Sequence, residues 1–181
     1  ITFSNCYSYN HINGNSYIGG VSGYNYTYGS GTHSSITISN CYSHNHINGN
    51  SNIGGVSGDN FNYDSGNNGN ITTSDCFTNG RIKGNESIGG IVGYIEKNKG
   101  SLDISKCYSN NSIIEGKNYV GGIFGNSTAN NIQTSGNVSL NEVISSDNNL
   151  YRIGNKGGFD NNLAWVLTQM LLNSAKQPIP D

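Results

Sequence analysis

The chain has 181 residues, a formal charge of −2 and 32 asparagines beside 26 glycines, with 33% hydrophobic and only 11% charged residues. Without a basic run there is no footing for binding nucleic-acid phosphates, and no stretch reaches the roughly 18–20 apolar residues that cross a bilayer. A low-complexity reading fails because the scarce Ile, Val, Tyr and Cys return at fixed intervals.

The first unit opens with Ile1–Tyr24, ITFSNCYSYNHINGNSYIGGVSGY, and the second repeats it almost unchanged at Ile36–Asp59, ITISNCYSHNHINGNSNIGGVSGD. The pattern returns with more drift at Ile71–Tyr94 and Leu102–Asn126. The units run 1–35, 36–70, 71–101 and 102–131, with a degenerate unit at 132–164 and a tail at 165–181. The chain starts inside a unit, so it is read as a mature or excised piece of something longer.

Within a unit three short extended pieces are expected: Ile36–Ser43, a piece around His46–Asn48, and Asn52–Gly58. Asn-Gly and Gly-Gly pairs supply the corners between them, and β-branched residues favour strand over helix. Asn-Gly is also a hairpin signal, but each piece resembles its own copy a full repeat away better than its neighbour. Parallel stacking of like on like follows. The expected columns are Ile1, Ile36, Ile71 and Leu102; then Ile12, Ile47, Ile82 and Ile113; then Ile18, Ile53, Ile88 and Val120; and lastly Val21, Val56, Ile91 and Ile123. The glycine pairs Gly19–Gly20, Gly54–Gly55, Gly89–Gly90 and Gly121–Gly122 mark close backbone approach, since they lack both the Walker and the dinucleotide spacing.

Cys6, Cys41, Cys76 and Cys107 occupy one position of the repeat, at spacings of 35, 35 and 31. They are read as a structural ladder of buried thiols, with oxidation of one or two stacked pairs as the alternative. A straight column cannot surround a tetrahedral metal. Tyr7, Tyr42, Phe77 and Tyr108 form an aromatic ladder beside them, on the opposite side of the strand if the cysteines face inward.

The segments after Gly23 and Gly58 vary between units and are read as loops projecting from one corner. Tyr24, Tyr26, Tyr28, Phe61 and Tyr63 cluster there and are the candidate ligand or assembly surface. Beyond Asn131 the pattern decays: Asn137 and Asn162 take the cysteine place, and Arg152–Asn155 stands where Ile-Gly-Gly belongs. Trp165–Lys176, WVLTQMLLNSAK, has helical character and is expected to cap the open end of the stack. The predicted fold is all-β, a parallel β-solenoid (β-helix) of about five to six rungs, one 30–35 residue repeat per rung, closed by a C-terminal capping segment.

The Asn5-Cys6-Tyr7 … Ile18-Gly19-Gly20-Val21-Ser22-Gly23 pattern resembles the GLUG repeat family. The match returns at Asn40-Cys41-Tyr42 with Ile53–Gly58, at Cys76-Phe77 with Ile88–Gly93, and at Cys107-Tyr108 with Val120–Gly125. The resemblance implies a stalk or display module of a secreted or surface-anchored protein, extracellular or on a cell surface, and brings no catalytic residues with it. A virion or filament surface is a further setting that the composition allows.

Parallel β-helices also carry polysaccharide-degrading enzymes, whose chemistry needs clustered acids. Here the 11 acids do not recur as a column, and Glu86 and Glu115 are offset by two places relative to their cysteines. His11, His44 and His46 fall close enough in register for a three-imidazole metal site, against the plainer reading of an outward polar stack. Asn25, Asn70, Asn85, Asn110, Asn126 and Asn137 fit the N-x-[ST] pattern. The sequence therefore points to a non-enzymatic structural or adhesive module with no cofactor, no metal and no catalytic residues. Its partners would be a host-surface glycan or protein, or copies of itself in a fibre; a carbohydrate-binding module or a filament or virion subunit is the alternative.

Overall fold

The corners come first, because they decide where each unit bends. Asn5, Asn40, Asp75 and Lys106, each just before the ladder cysteine, hold a left-handed backbone with φ of 54°, 51°, 51° and 52°. Asn and Asp tolerate that region better than most side chains. The bend divides what the sequence suggested was one extended piece. The computed structural model describes residues 1–29, 34–64, 69–97, 100–129, 132–155, 158–164, 169–172 and 177–178.

The first repeat holds β1 (Thr2–Ser4), β2 (Tyr7–Asn13), β3 (Ser16–Gly19) and β4 (Ser22–Gly29). The second holds β5 (Ser35–Ser39), β6 (Tyr42–Asn48), β7 (Ser51–Gly54) and β8 (Ser57–Asp64). The third holds β9 (Asn70–Ser74), β10 (Phe77–Lys83), β11 (Glu86–Gly89) and β12 (Val92–Lys97). In the fourth are β13 (Leu102–Ser105), β14 (Tyr108–Ser109), β15 (Ile113–Glu115), β16 (Asn118–Gly121) and β17 (Phe124–Ser127). The remainder supplies β18 (Ile132–Ser135), β19 (Val138–Ser139), β20 (Val143–Ser146), β21 (Leu150–Tyr151), β22 (Gly158–Asp160), β23 (Leu163–Ala164), β24 (Gln169–Leu172) and β25 (Gln177–Pro178).

Strands pair parallel with their own copies, giving an all-β parallel solenoid with four faces. The expectation of five to six rungs is corrected. The fourth face, β4-β8-β12-β17, steps up only three times, so the coil makes about three complete turns with all four sides paired. Among the described residues only the first three faces continue beyond β17. Asn155 explains the stop: its side-chain Oδ1 accepts from Ser127 N at 3.0 Å and its amide donates to Asn126 Oδ1 at 2.5 Å. A side chain takes the bonds that a further strand would have made.

Three more expectations need correction. The variable segment is no loop at its start: Tyr24–Tyr28 belong to β4, and Phe61 and Tyr63 to β8. The period-two pattern was hidden because the inward residues, Asn25 and Asn60, are polar. The second apolar column runs through Ile114, not Ile113: Ile82 pairs with Ile114, while Ile113 pairs with Arg81. One extra residue is absorbed between β14 and β15, where Asn111 turns inward and donates to Ser109 Oγ at 2.9 Å and Thr78 Oγ1 at 3.0 Å. That is a β-bulge. Finally, Leu150 and Tyr151 take the Ile-Gly places opposite Val120 and Gly121, and Ile153 falls in the column of Ile123.

In the tail, Gln169–Leu172 is a strand parallel to β20 and antiparallel to β25, not helix. A segment laid on a sheet edge gains ladder hydrogen bonds that an isolated helical turn cannot offer it. Residues 165–168 and 173–176 lie outside the described residues.

The interior is divided. One cluster gathers Ile36, Ile38, Ile71, Ile104, Val92, Ile95 and Phe124 with the buried cysteines; the other joins Ile47, Ile53, Ile82, Ile88, Ile114 and Val120. Each fully buried Ile contributes about 1.5–3 kcal/mol relative to exposure. Between the clusters runs a buried polar seam of Ser43, Asn45, Thr78, Ser109, Asn111, Ser139 and Asn141. The second glycine of each pair packs on this seam: a Cβ at Gly90 would lie 2.0 Å from Ser109 Oγ and 2.1 Å from Gly122 O. The glycine pairs are thus the price of a waist where opposite faces of the coil meet.

Candidate functional site

All four cysteines are free thiols, and Cys41, Cys76 and Cys107 are buried. Each thiol donates toward a carbonyl two residues back, at 3.2, 3.2 and 3.4 Å, and more weakly toward one in the preceding repeat. Burial pushes the Cys41 thiol up to about 11 and raises Cys107 as well, which removes the thiolate needed for reactivity.

The neighbouring side chains point outward and stack. Tyr7, Tyr42, Phe77 and Tyr108 form a run with centroids 5.0, 4.9 and 5.1 Å apart and interplanar angles of 5°, 6° and 10°. Tyr9 stacks on His44 at 4.8 Å and His11 on His46 at 4.7 Å. The inner rings of such a ladder, Tyr42 and Phe77, turn both faces to their neighbours, while the end rings Tyr7 and Tyr9 keep one face open at 68% and 65% exposure. The imidazoles are engaged in pairwise stacks. Among the described residues no group of three or more His, Cys, Asp or Glu is placed to hold a metal ion.

The acids off the fourth face are dispersed. Glu115 forms an ion pair with Lys83 at 2.5 Å, and Glu86 lies on a different face, opposite Ser51 and Asn118. Asp103 accepts from Ser105 Oγ at 2.9 Å.

The fourth face carries the larger aromatic cluster. Tyr24, Tyr26, Tyr28 and Tyr63 are all more than two-fifths exposed, and Phe61 is half-buried. Tyr26 stacks on Phe61 at 5.2 Å and Tyr28 on Tyr63 at 5.5 Å, while Tyr24 and Tyr26 lie 6.1 Å apart along β4. The five candidate residues are therefore brought together on one strip. Tyr17, which the sequence groups with Tyr24, Tyr26 and Tyr28 in the first unit, joins the strip: its φ is 59° and its ring lies 5.0 Å from Tyr24.

Register breaks the ring ladders here. Tyr24 pairs with Asp59, which pairs with Tyr94; Phe61 pairs with Glu96. Asp59 is only 3% exposed. Its Oδ2 accepts from Asn52 Nδ2 at 2.9 Å, and its Oδ1 has no hydrogen-bond partner. Burial, with the Glu96 carboxylate adding to it, pushes Asp59 up to about 7 against the lowering effect of Asn52. Tyr94 OH donates to Glu96 Oε2 at 3.4 Å. Both tyrosine hydroxyls, Tyr24 and Tyr94, are held above their ordinary value by burial and by these two acids. A short acid between two tyrosines of one column was the signal in the sequence that went unused.

No family model, no curated protein and no solved structure matches this chain. The likeness to GLUG repeats therefore rests on the motif alone. Among the described residues no helix is long and apolar enough to cross a membrane. Of the six N-x-[ST] asparagines, Asn25 and Asn137 are buried, and Asn25 is tied to Ser57 Oγ at 3.1 Å and Asn60 Oδ1 at 2.8 Å. Neither offers its amide for modification in the folded chain.

Proposed function

We propose that this chain is a non-enzymatic presenting module of an extracellular or cell-surface protein, a stiff solenoid that holds the aromatic strip of β4 and β8 toward a surface glycan or protein. The observation that carries this reading is the size of the aromatic cluster on the fourth face. Tyr17, Tyr24, Tyr26, Tyr28, Phe61 and Tyr63 share one strip, and its tyrosines are all more than two-fifths exposed. Exposed aromatic patches of this kind mark contact sites. Off the fourth face the acids stand apart, Glu115 paired with Lys83 and Asp103 with Ser105, which supports a role without catalysis. The motif resemblance supports the extracellular setting.

The test is binding by the full chain on a glycan array and on intact cells, beside a reducing-end assay over a panel of polysaccharides. Saturable attachment that falls on Tyr26→Ala with Tyr63→Ala, and no new reducing ends, is the expected result. Release of reducing ends that survives purification would replace the reading with an enzymatic one. A dedicated carbohydrate-binding module is the second reading, favoured by the exposed Tyr17 and Tyr24, whose rings meet at 45° and so are not shut in a parallel ladder.

A further inference from the structure

The corner where β3 and β7 turn into β4 and β8 carries an orphaned carboxyl oxygen. Asp59 sits in the outward column between Tyr24 and Tyr94, 97% buried, with Oδ1 unbonded. A buried polar atom without a partner is costly and rare, and marks a place where a further group belongs. Among the described residues no cationic side chain pairs with Asp59; the groups that act on it are the Asn52 amide and the Glu96 carboxylate. Two acids of one sign, flanked by tyrosine rings and lacking a counter-charge, are complementary to a cation. The two tyrosines that neighbour Asp59 along the column bear on its type. A hard metal ion takes six or more oxygen ligands, which this corner does not gather. An alkylated ammonium gains from aromatic faces and from carboxylates together.

We infer that Tyr17, Tyr24, Asn52, Asp59, Tyr94 and Glu96 form a binding site for an organic ammonium group, with the Asp59 and Glu96 carboxylates as counter-charges and the Tyr24 and Tyr94 rings as walls. Tyr24, half exposed, is the outer wall that gives way on entry. Tyr17 supports it at 5.0 Å from a strained backbone position. Asn52 keeps Oδ2 occupied and leaves Oδ1 for the ligand. The bound cation stabilises the ionised carboxylate, so binding releases a proton wherever Asp59 was protonated beforehand, and affinity rises as pH passes upward through about 7. Glu96, Tyr24 and Tyr94 are the titratable groups facing Asp59, and both tyrosines stay neutral across that range.

The site rests on the reading of the fourth face as a presenting surface, and its test is kept separate from attachment. The full chain is titrated by calorimetry at pH 8 with choline chloride, with acetyl-lysine methylamide as a primary ammonium, and with 3,3-dimethylbutan-1-ol as the uncharged isostere of choline. Saturable binding of at least one ammonium, at least about tenfold tighter than the alcohol, is expected. Asp59→Asn is expected to weaken it by about tenfold or more while remaining folded by circular dichroism, and Asp103→Asn to leave it unchanged. The choline and lysine arms tell a quaternary from a primary ammonium. Equal binding of the alcohol, full retention in Asp59→Asn, or no binding up to tens of millimolar overturns the inference. If ammonium binding holds but attachment to cells and glycans fails, it is the presenting role that falls and the site that stands.

Discussion

The backbone N–H of Cys107 donates to Oδ1 of Asn137 at 2.9 Å, at the step where the thiol ladder gives way to asparagine. Asn137 Nδ2 in turn donates to Ile104 O at 2.7 Å, the carbonyl type that each thiol reaches only weakly from 3.6 Å or more. Asn162 repeats the arrangement, accepting from Asn137 N at 2.9 Å and donating to Thr134 O at 2.9 Å. An amide can do both tasks at once; a thiol does one of them poorly.

Removing that amide should therefore cost more than removing a thiol. Asn137→Ala leaves the buried N–H of Cys107 unpaired and takes a second donor from Ile104 O, and is expected to lose about 1–3 kcal/mol in urea unfolding. Asn137→Cys, which restores a weak donor, should lose less. Equal losses for the two would show that the amide bonds are not what holds this step.

Asp59 makes stability depend on pH in an unusual direction for an acid. Its folded value of about 7 lies above the ordinary 3.8, so its contribution is fully present below the lower value and is lost as pH rises through 7. The penalty at pH 8 is on the order of 4 kcal/mol. Asp59→Asn should unfold at higher urea concentration than the parent at pH 8, with the gap narrowing toward pH 4. A gap that does not change with pH would refute the buried, unpaired carboxyl.

Glycine substitutions should separate the waist from the corners. At Gly55 a Cβ would meet Gly90 O at 2.2 Å and Thr78 Cγ2 at 2.5 Å, so Gly55→Ala is expected to destabilise by about 3 kcal/mol or more, or to prevent folding. At Gly14 the nearest atom is the end of a flexible side chain, Ile18 Cδ1 at 2.9 Å, and Gly14→Ala should cost under about 1 kcal/mol. Thermal denaturation of the pair measures the contrast.

The ring ladder should show its middle members. Tyr42 stacks on both Tyr7 and Phe77, so Tyr42→Ala is expected to lose about 1–3 kcal/mol and part of the near-ultraviolet dichroism. Tyr28→Ala breaks a single stacked pair at an exposed position and should lose under about 1 kcal/mol. Reversal of that order would mean the ladder is ornament on the surface of the coil.

Thiol labelling offers a simpler check. Cys6, half-buried, should react with iodoacetamide in the native chain, whereas Cys41 and Cys107 should react only on unfolding.

The parallel stacking and most columns were legible because identical residues align when near-identical units are superposed. Ile18, Ile53, Ile88 and Val120 do pair as the spacing predicts. What stayed hidden is polar. The seam of Ser43, Asn45, Thr78 and Ser109 is as buried as any isoleucine, but in a chain this rich in Asn and Ser no composition signal marks it. The same blindness turned β4 and β8 into loops. A single inserted residue before Ile113 then shifted one column by a place, since a one-residue slip moves every later side chain to the other face. Nothing in its own repeat marks Asp59 as buried, because its burial depends on Tyr24 and Tyr94 lying one repeat to either side.

The repeats are joined by rows of backbone hydrogen bonds such as Thr37 N to Ile1 O at 2.9 Å and Ile91 N to Ile123 O at 2.7 Å, all running along the coil axis. The covalent chain advances along that axis only by winding around it. A pull on the two ends of the coil thus loads whole rows in tension before the backbone itself is stretched. Once one row parts, it releases a length of about 30 residues, and the next row takes the strain. A coil made this way yields under force in steps of one repeat at a time, as a shock absorber does, instead of snapping at one point.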